Sequence, residues 1–187
     1  MVKGDEDKLA EILYKKINDS LIKEIKAYNL KIDKKIQIQK DFTYIPSKRK
    51  FCLGGAEVDL VIYQELKKNH SYHELKAGDL CYTAQLNDEV RIPLVVLELK
   101  SGHITSDAIR ARDLVARDIR NIFPFVSYIF IGENSGKKDE TLFRQGKNFT
   151  NFIIDKGKLS EENQEKLLEL IKINIKLLKL NKLLENN

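Results

Sequence analysis

The chain has 187 residues, 42% of them hydrophobic and 33% charged, with a formal net charge of +5. That length suits one domain with a core of its own, spanning 1–187, and the mixture excludes both a disordered chain and one embedded in lipid. Excess positive charge favours a polyanionic partner without bearing on the fold, and the only two cysteines, Cys52 and Cys81, exclude a disulfide framework.

Residues 1–7 carry no apolar signal core, and no stretch offers the roughly 20 apolar residues that span a bilayer. A cytoplasmic protein with no membrane partner is the expectation. Residues 6–28 read as a helix, because Leu9, Leu13, Ile17, Leu21 and Ile25 recur at four-residue spacing. Glu6 and Glu24 fall in that sector and Glu11 falls outside it. Residues 35–45 alternate loosely as a strand, followed by Pro46 and the run Lys48-Arg49-Lys50, whose charge suits phosphate.

After the turn signal Gly54-Gly55, residues 56–63 form an apolar strand that carries Glu57 and Asp59 near its start. Residues 65–92 are polar and weakly periodic and read as an insertion. They hold His70, His73 and Cys81; with Cys52 these lack paired C-x-x-C spacing, so no structural zinc site is expected. Residues 93–100, Pro-Leu-Val-Val-Leu-Glu-Leu-Lys, have the Val and Leu content of a buried strand. Period-2 geometry puts Val96, Glu98 and Lys100 on one face. Charges delivered to the rim of a core are costly unless paired or bound to metal, and acids at the ends of neighbouring strands can share one cation.

A second helix spans 104–122, capped by Thr105 or Ser106. Ala108, Ala111, Leu114, Val115, Ile119 and Ile122 make its apolar face, with Arg110, Arg117 and Arg120 opposite, where their charge suits phosphate. Arg112 and Asp118 fall inside the apolar sector, where each needs a partner, either a structural ion pair or a group in a site. Residues 125–131 form a third apolar strand. The loop after it, from Gly132 to Lys138, fails the P-loop pattern in both spacing and the residue after the lysine. Residues 149–155 read as a last strand, and a long helix occupies 159–187 with more apolar positions than one stripe needs.

Asp59 heading one apolar strand, with Glu98-Leu99-Lys100 ending another, resembles the motif of the PD-(D/E)XK nuclease superfamily, and the order helix, strands, motif strand, helix, strand matches that family's core over about residues 5–131. Val58 stands where the family often has proline, and 39 positions from Asp59 to Glu98 imply the insertion between the motif strands. The resemblance implies an α/β fold with a restriction-endonuclease-like core, a mixed central β-sheet flanked by α-helices. It implies a metal-dependent DNA endonuclease with Asp59, Glu98 and Lys100 catalytic. Asp59, Glu98 and the Leu99 carbonyl would hold Mg²⁺, which Mn²⁺ can replace, since hard oxygen donors suit those ions. Family members often add a helix-one glutamate, for which Glu24 is the candidate, with Glu6 and Glu57 also open.

The leading expectation is a type II-like restriction endonuclease, a homodimer on double-stranded DNA. A Holliday-junction resolvase or other structure-selective nuclease, and an inactive DNA-binding or assembly subunit, are the alternatives.

Overall fold

The computed structural model describes residues 4–45, 50–65, 75–77, 80–82, 91–133 and 144–181. The first helix is α1 (Gly4–Ser20), followed after a kink at Leu21 by α2 (Ile22–Ala27). Bonds from Leu21 N to Ile17 O and from Ile25 N to Leu21 O carry the helical pattern through the kink, so the single helix expected over 6–28 is bent rather than ended there. Two long strands follow, β1 (Leu30–Ile45) and β2 (Lys50–Glu65), then β3 (Leu75–Ala77), β4 (Leu80–Tyr82), β5 (Arg91–Lys100), α3 (Ser106–Ile122), β6 (Ser127–Glu133), β7 (Asn151–Asp155) and α4 (Glu161–Leu180).

The architecture is α/β, with a five-stranded mixed sheet in the order β1-β2-β5-β6-β7. β1, β2 and β5 are antiparallel neighbours, while β6 and β7 join β5 in parallel. Parallel neighbours need a crossover, and α3 provides it between β5 and β6. In the interval expected as an insertion, β3 and β4 pair with each other as a separate antiparallel sheet. His70 and His73 lie outside the described residues.

Helices cover both faces. On one, Leu9, Leu13 and Ile17 of α1 and Leu167, Ile171 and Ile175 of α4 meet Leu60, Ile62, Leu97, Leu99, Ile129 and Ile131. On the other, Ile109, Ala116 and Ile119 of α3 meet Val61, Val96, Tyr128 and Phe130. β5, buried from Pro93 to Leu99, is hydrophobic on both sides because both sides are covered. Thr105 and Ser160 cap α3 and α4 with side-chain oxygens that accept from Ala108 N and Asn163 N.

The phase of α3 differs from the sequence expectation. Leu114 is 50% exposed and Ile122 lies at the surface, while the inward face runs through Ile109, Arg112, Asp113, Ala116, Ile119 and Arg120. Polar members of that face are tolerated because each finds a partner: Asp113 accepts from Asn148 N and Nδ2, and Arg120 donates to Asn148 O. α4 turns Leu167, Leu168, Ile171, Ile175 and Leu178 inward and leaves Ile173, Leu177 and Leu180 on the outside. No helix among the described residues is long and apolar enough to cross a membrane.

This division of α4 sets up a contrast. Leu97→Ala, in the centre of the sheet, is expected to cost about 2–5 kcal/mol. Leu177→Ala should change stability by no more than about 0.5 kcal/mol. Urea denaturation of the two variants checks the assignment of faces, and comparable losses would contradict it.

Candidate functional site

The pairing of β2 with β5 brings the motif together. Leu60 lies opposite Leu97 and Val61 opposite Val96, so continuing the same antiparallel register one step places Asp59 opposite Glu98. The neighbouring pair Lys34 and Leu60, continued likewise, sets Lys35 of β1 opposite Asp59. Asp59 Oδ2 accepts from the Leu99 amide at 2.8 Å, which fixes that carboxylate against the motif strand. In an extended strand the N–H and C=O of one residue leave on the same side, so the Leu99 carbonyl is directed toward β2 as well.

Glu98 is buried, and both of its oxygens are engaged. Arg112 Nε lies 2.6 Å from Oε1, and Tyr128 OH donates to Oε2 at 3.2 Å. Tyr128 sits on β6 opposite Val96, diagonal to Glu98 across the strand pair. Burial, with the Asp59 carboxylate second, pushes Glu98 up to about 7, against the pull of Arg112 and Tyr128. Asp59 is raised too, chiefly by burial, against the Leu99 amide and Arg112. The Tyr128 hydroxyl rises for the same reasons: burial first, then the adjacent Glu98.

Lys100 ends the motif strand at the rim. Its Nζ lies 2.6 Å from Glu6 Oε1 of α1, and the same carboxylate oxygen accepts from Ser101 N at 3.3 Å. A left-handed turn at Gly102, with φ of +77°, follows at once and favours glycine. Thus the helix-one acid that the structure brings to the motif is Glu6. Glu24, the candidate from helix periodicity, lies beyond the kink on α2, and Glu57 is exposed on β2. His103 is exposed. A groove of about 510 Å³ between α1 and the turn after β5 reaches Ser101 and Gly102, yet neither Asp59 nor Glu98 lines it.

The two residues that needed partners on α3 have different fates. Arg112 faces the acidic pair, whereas Asp118 pairs with its neighbour Arg117 at 2.9 Å on the outer surface. Arg110 and Arg117 are exposed, as a phosphate-contacting role requires, but Arg120 is turned inward onto Asn148 O and does not join them. Lys48 and Arg49 lie outside the described residues, and of Lys50 only the backbone, at the start of β2, is described. Tyr128 was not singled out by sequence. The available signal was a polar-tipped aromatic inside a wholly buried strand, because a buried phenol needs an acceptor.

Among the described residues no group of three or more His, Cys, Asp and Glu side chains forms a metal site. The oxygen donors here are the Asp59 and Glu98 carboxylates and the Leu99 carbonyl. Such a set fits a hard divalent cation, which is commonly held by one or two carboxylates and keeps several waters. Comparison of the sequence with protein-family models and with curated proteins finds no match in either.

The raised acids give stability a definite pH dependence. A carboxyl whose pKa is higher in the folded state holds its proton more tightly there, so its contribution to stability falls as pH climbs from the unfolded value of 4.5 to about 7, then levels off. Relative to Glu98→Gln, the wild-type protein is expected to lose on the order of 3 kcal/mol between pH 4.5 and pH 8. Chemical denaturation of both proteins across that range measures the difference, and parallel profiles would rule out a raised Glu98.

Proposed function

We propose that this chain is a metal-dependent DNA endonuclease of the PD-(D/E)XK type, most simply a type II-like restriction endonuclease that works as a homodimer on double-stranded DNA. The observation that carries the reading is the β2–β5 register, which continued one step past Leu60 and Leu97 sets Asp59 beside Glu98, with Asp59 bonded to the Leu99 amide and Lys100 at the end of the same strand. Element order supports it: a helix, three antiparallel strands, a crossover helix and a parallel strand, with Glu98 and Lys100 at the end of β5 and Asp59 within the longer β2 beside them. The finer restriction-endonuclease-like description of the fold belongs to this proposal.

Asp59, Glu98 and the Leu99 carbonyl would hold Mg²⁺ or Mn²⁺. When bound, such an ion neutralises charge on the phosphate oxygens and makes an oriented water more acidic. The Leu99 amide orients Asp59 and the Tyr128 hydroxyl orients Glu98. Glu6 keeps the Lys100 ammonium at the rim, where it can hold the attacking water and stabilise charge on a non-bridging oxygen. Duplex cleavage needs two such centres related by a dyad, which an isologous homodimer supplies. The exposed Ile173, Leu177 and Leu180 of α4 offer an apolar surface for it.

One observation favours a second reading, a catalytically silent DNA-binding subunit: Glu98 already has a cation, Arg112, against it. A junction resolvase would use the same centre on a different DNA shape. Incubation with phage DNA and with a four-way junction in Mg²⁺ separates the three. Discrete fragments support restriction, junction-dependent cuts support resolution, and no cutting of either supports the silent subunit.

Asp59→Asn, Glu98→Gln and Lys100→Ala are each expected to lower cleavage by roughly 10²-fold or more. Ca²⁺ should permit DNA binding without cutting, because it accepts the same oxygen donors in a looser geometry. Activity near wild type in any of the three variants removes that residue from the assignment.

Arg110→Ala and Arg117→Ala should each weaken binding to all sequences and reduce the slope of log affinity against log salt by about one. Arg120→Ala should instead lower stability and leave the slope alone. Gel-shift titrations at several salt concentrations, paired with melting curves, test both halves.

A further inference from the structure

We propose that the Arg112 guanidinium is a resident counter-ion for the Asp59 and Glu98 carboxylates, which a divalent cation must displace, so that Arg112 gates metal loading. The inference rests on the metal-dependent reading given above and adds a competitor to it.

The first ground is charge. Two carboxylates on adjacent strands, both at least partly buried, repel one another and carry a desolvation cost, so one cation between them is strongly favoured. Arg112 interacts with both, lying against Glu98 and attracting Asp59. The other charged groups near Asp59 are committed elsewhere: Lys35 to Asp7 of α1, and Glu6 to Lys100. Arg112 thus occupies the electrostatic place that a metal ion would take.

The second ground is geometry. Although Arg112 Nε lies 2.6 Å from Glu98 Oε1 and helps hold its charge, that buried nitrogen has no well-aligned hydrogen-bond acceptor among the described residues, so the contact rests on charge and closeness more than on direction. The contact has the closeness of an ion pair without the aligned, two-pronged fork that makes Arg–carboxylate pairs hard to break. Arg112 stands on the inward face of α3, but its side chain keeps a quarter of its surface exposed. A long side chain so placed can move its charged end into water while its stem stays packed. Glu98 would keep its orientation through Tyr128, which holds the other oxygen.

Calorimetric titration of MgCl₂ and of MnCl₂ into the metal-free wild type, Arg112→Gln and Asp59→Asn tests the gate without reference to cleavage. Removing a competing charge-assisted contact should tighten metal binding in Arg112→Gln by at least about tenfold, and Asp59→Asn should lose it. In ¹⁵N-labelled wild type, the assigned Arg112 Nε–H resonance should shift on addition of Mg²⁺ while that of Arg117 stays in place. That measurement needs no variant and stands even if Arg112→Gln fails to fold.

Equal or weaker binding in Arg112→Gln would make Arg112 a residue that merely positions Glu98 and would overturn the gate, leaving the nuclease reading intact. An unmoved Arg112 resonance at saturating metal does the same. No saturable binding of either ion by wild type or Arg112→Gln removes the metal site, and the gate with it.

Discussion

The antiparallel register between β2 and β5 is the constraint on which the candidate site depends. With Leu60 opposite Leu97, an acid one residue earlier on β2 meets an acid one residue later on β5. A slip of a single residue would turn Asp59 to the opposite face and push Leu60 off the α1 and α4 side of the core. Burial of Leu60, Ile62, Leu97 and Leu99 between helices fixes that register far more strongly than the charged residues could. The apolar interior therefore does the positioning, and the polar residues take the places left to them, Asp59 within β2 and Glu98 and Lys100 at the end of β5.

Those places are electrostatically uncomfortable, and the surrounding elements are arranged around that discomfort. Each acid is met from a different direction: Asp59 by the Leu99 amide, Glu98 by Arg112 from the helix above and by Tyr128 from the next strand. Lys100, on the far side of the rim, is met by α1 through Glu6. Elements from both faces of the sheet thus meet at one edge. A centre assembled in this way is preorganised by its support, which matters for chemistry that depends on placement within fractions of an ångström.

Much of this was legible in the sequence, for identifiable reasons. The motif strand shows itself by an unbroken Val and Leu run, and the cap at Ser160 and the strand around Asp59 show themselves by local chemistry. What periodicity missed was the phase of α3. Leu114 and Ile122 look like core residues on a helical wheel, yet the buried face contains Arg112, Asp113 and Arg120, whose partners Glu98 and Asn148 lie on other elements. A wheel counts apolar residues and has no knowledge of distant counter-charges, so a helix whose inner face is half polar is rotated wrongly. The wheel also could not rank Glu6 and Glu24: both lie on the stripe, but it is Glu6, at the other end of the helical segment from Glu24, that meets Lys100.

The long outer strand β1 carries a different consequence. It lies at the edge of the sheet and runs for 16 residues, long enough to recruit a strand from another molecule. Its regular course is interrupted twice, by the left-handed backbone at Lys35 and by the shift in its pairing with β2 between Gln39 and Asp41, which leaves Lys40 as an extra residue. Lys31, Lys34 and Lys35 lie along the same strand, each paired with an acid, Glu65, Glu11 and Asp7. Kinks and lysines are the devices by which exposed sheet edges avoid fibril-like stacking. The edge that helps frame the acidic pair is thereby protected from self-association through strand addition.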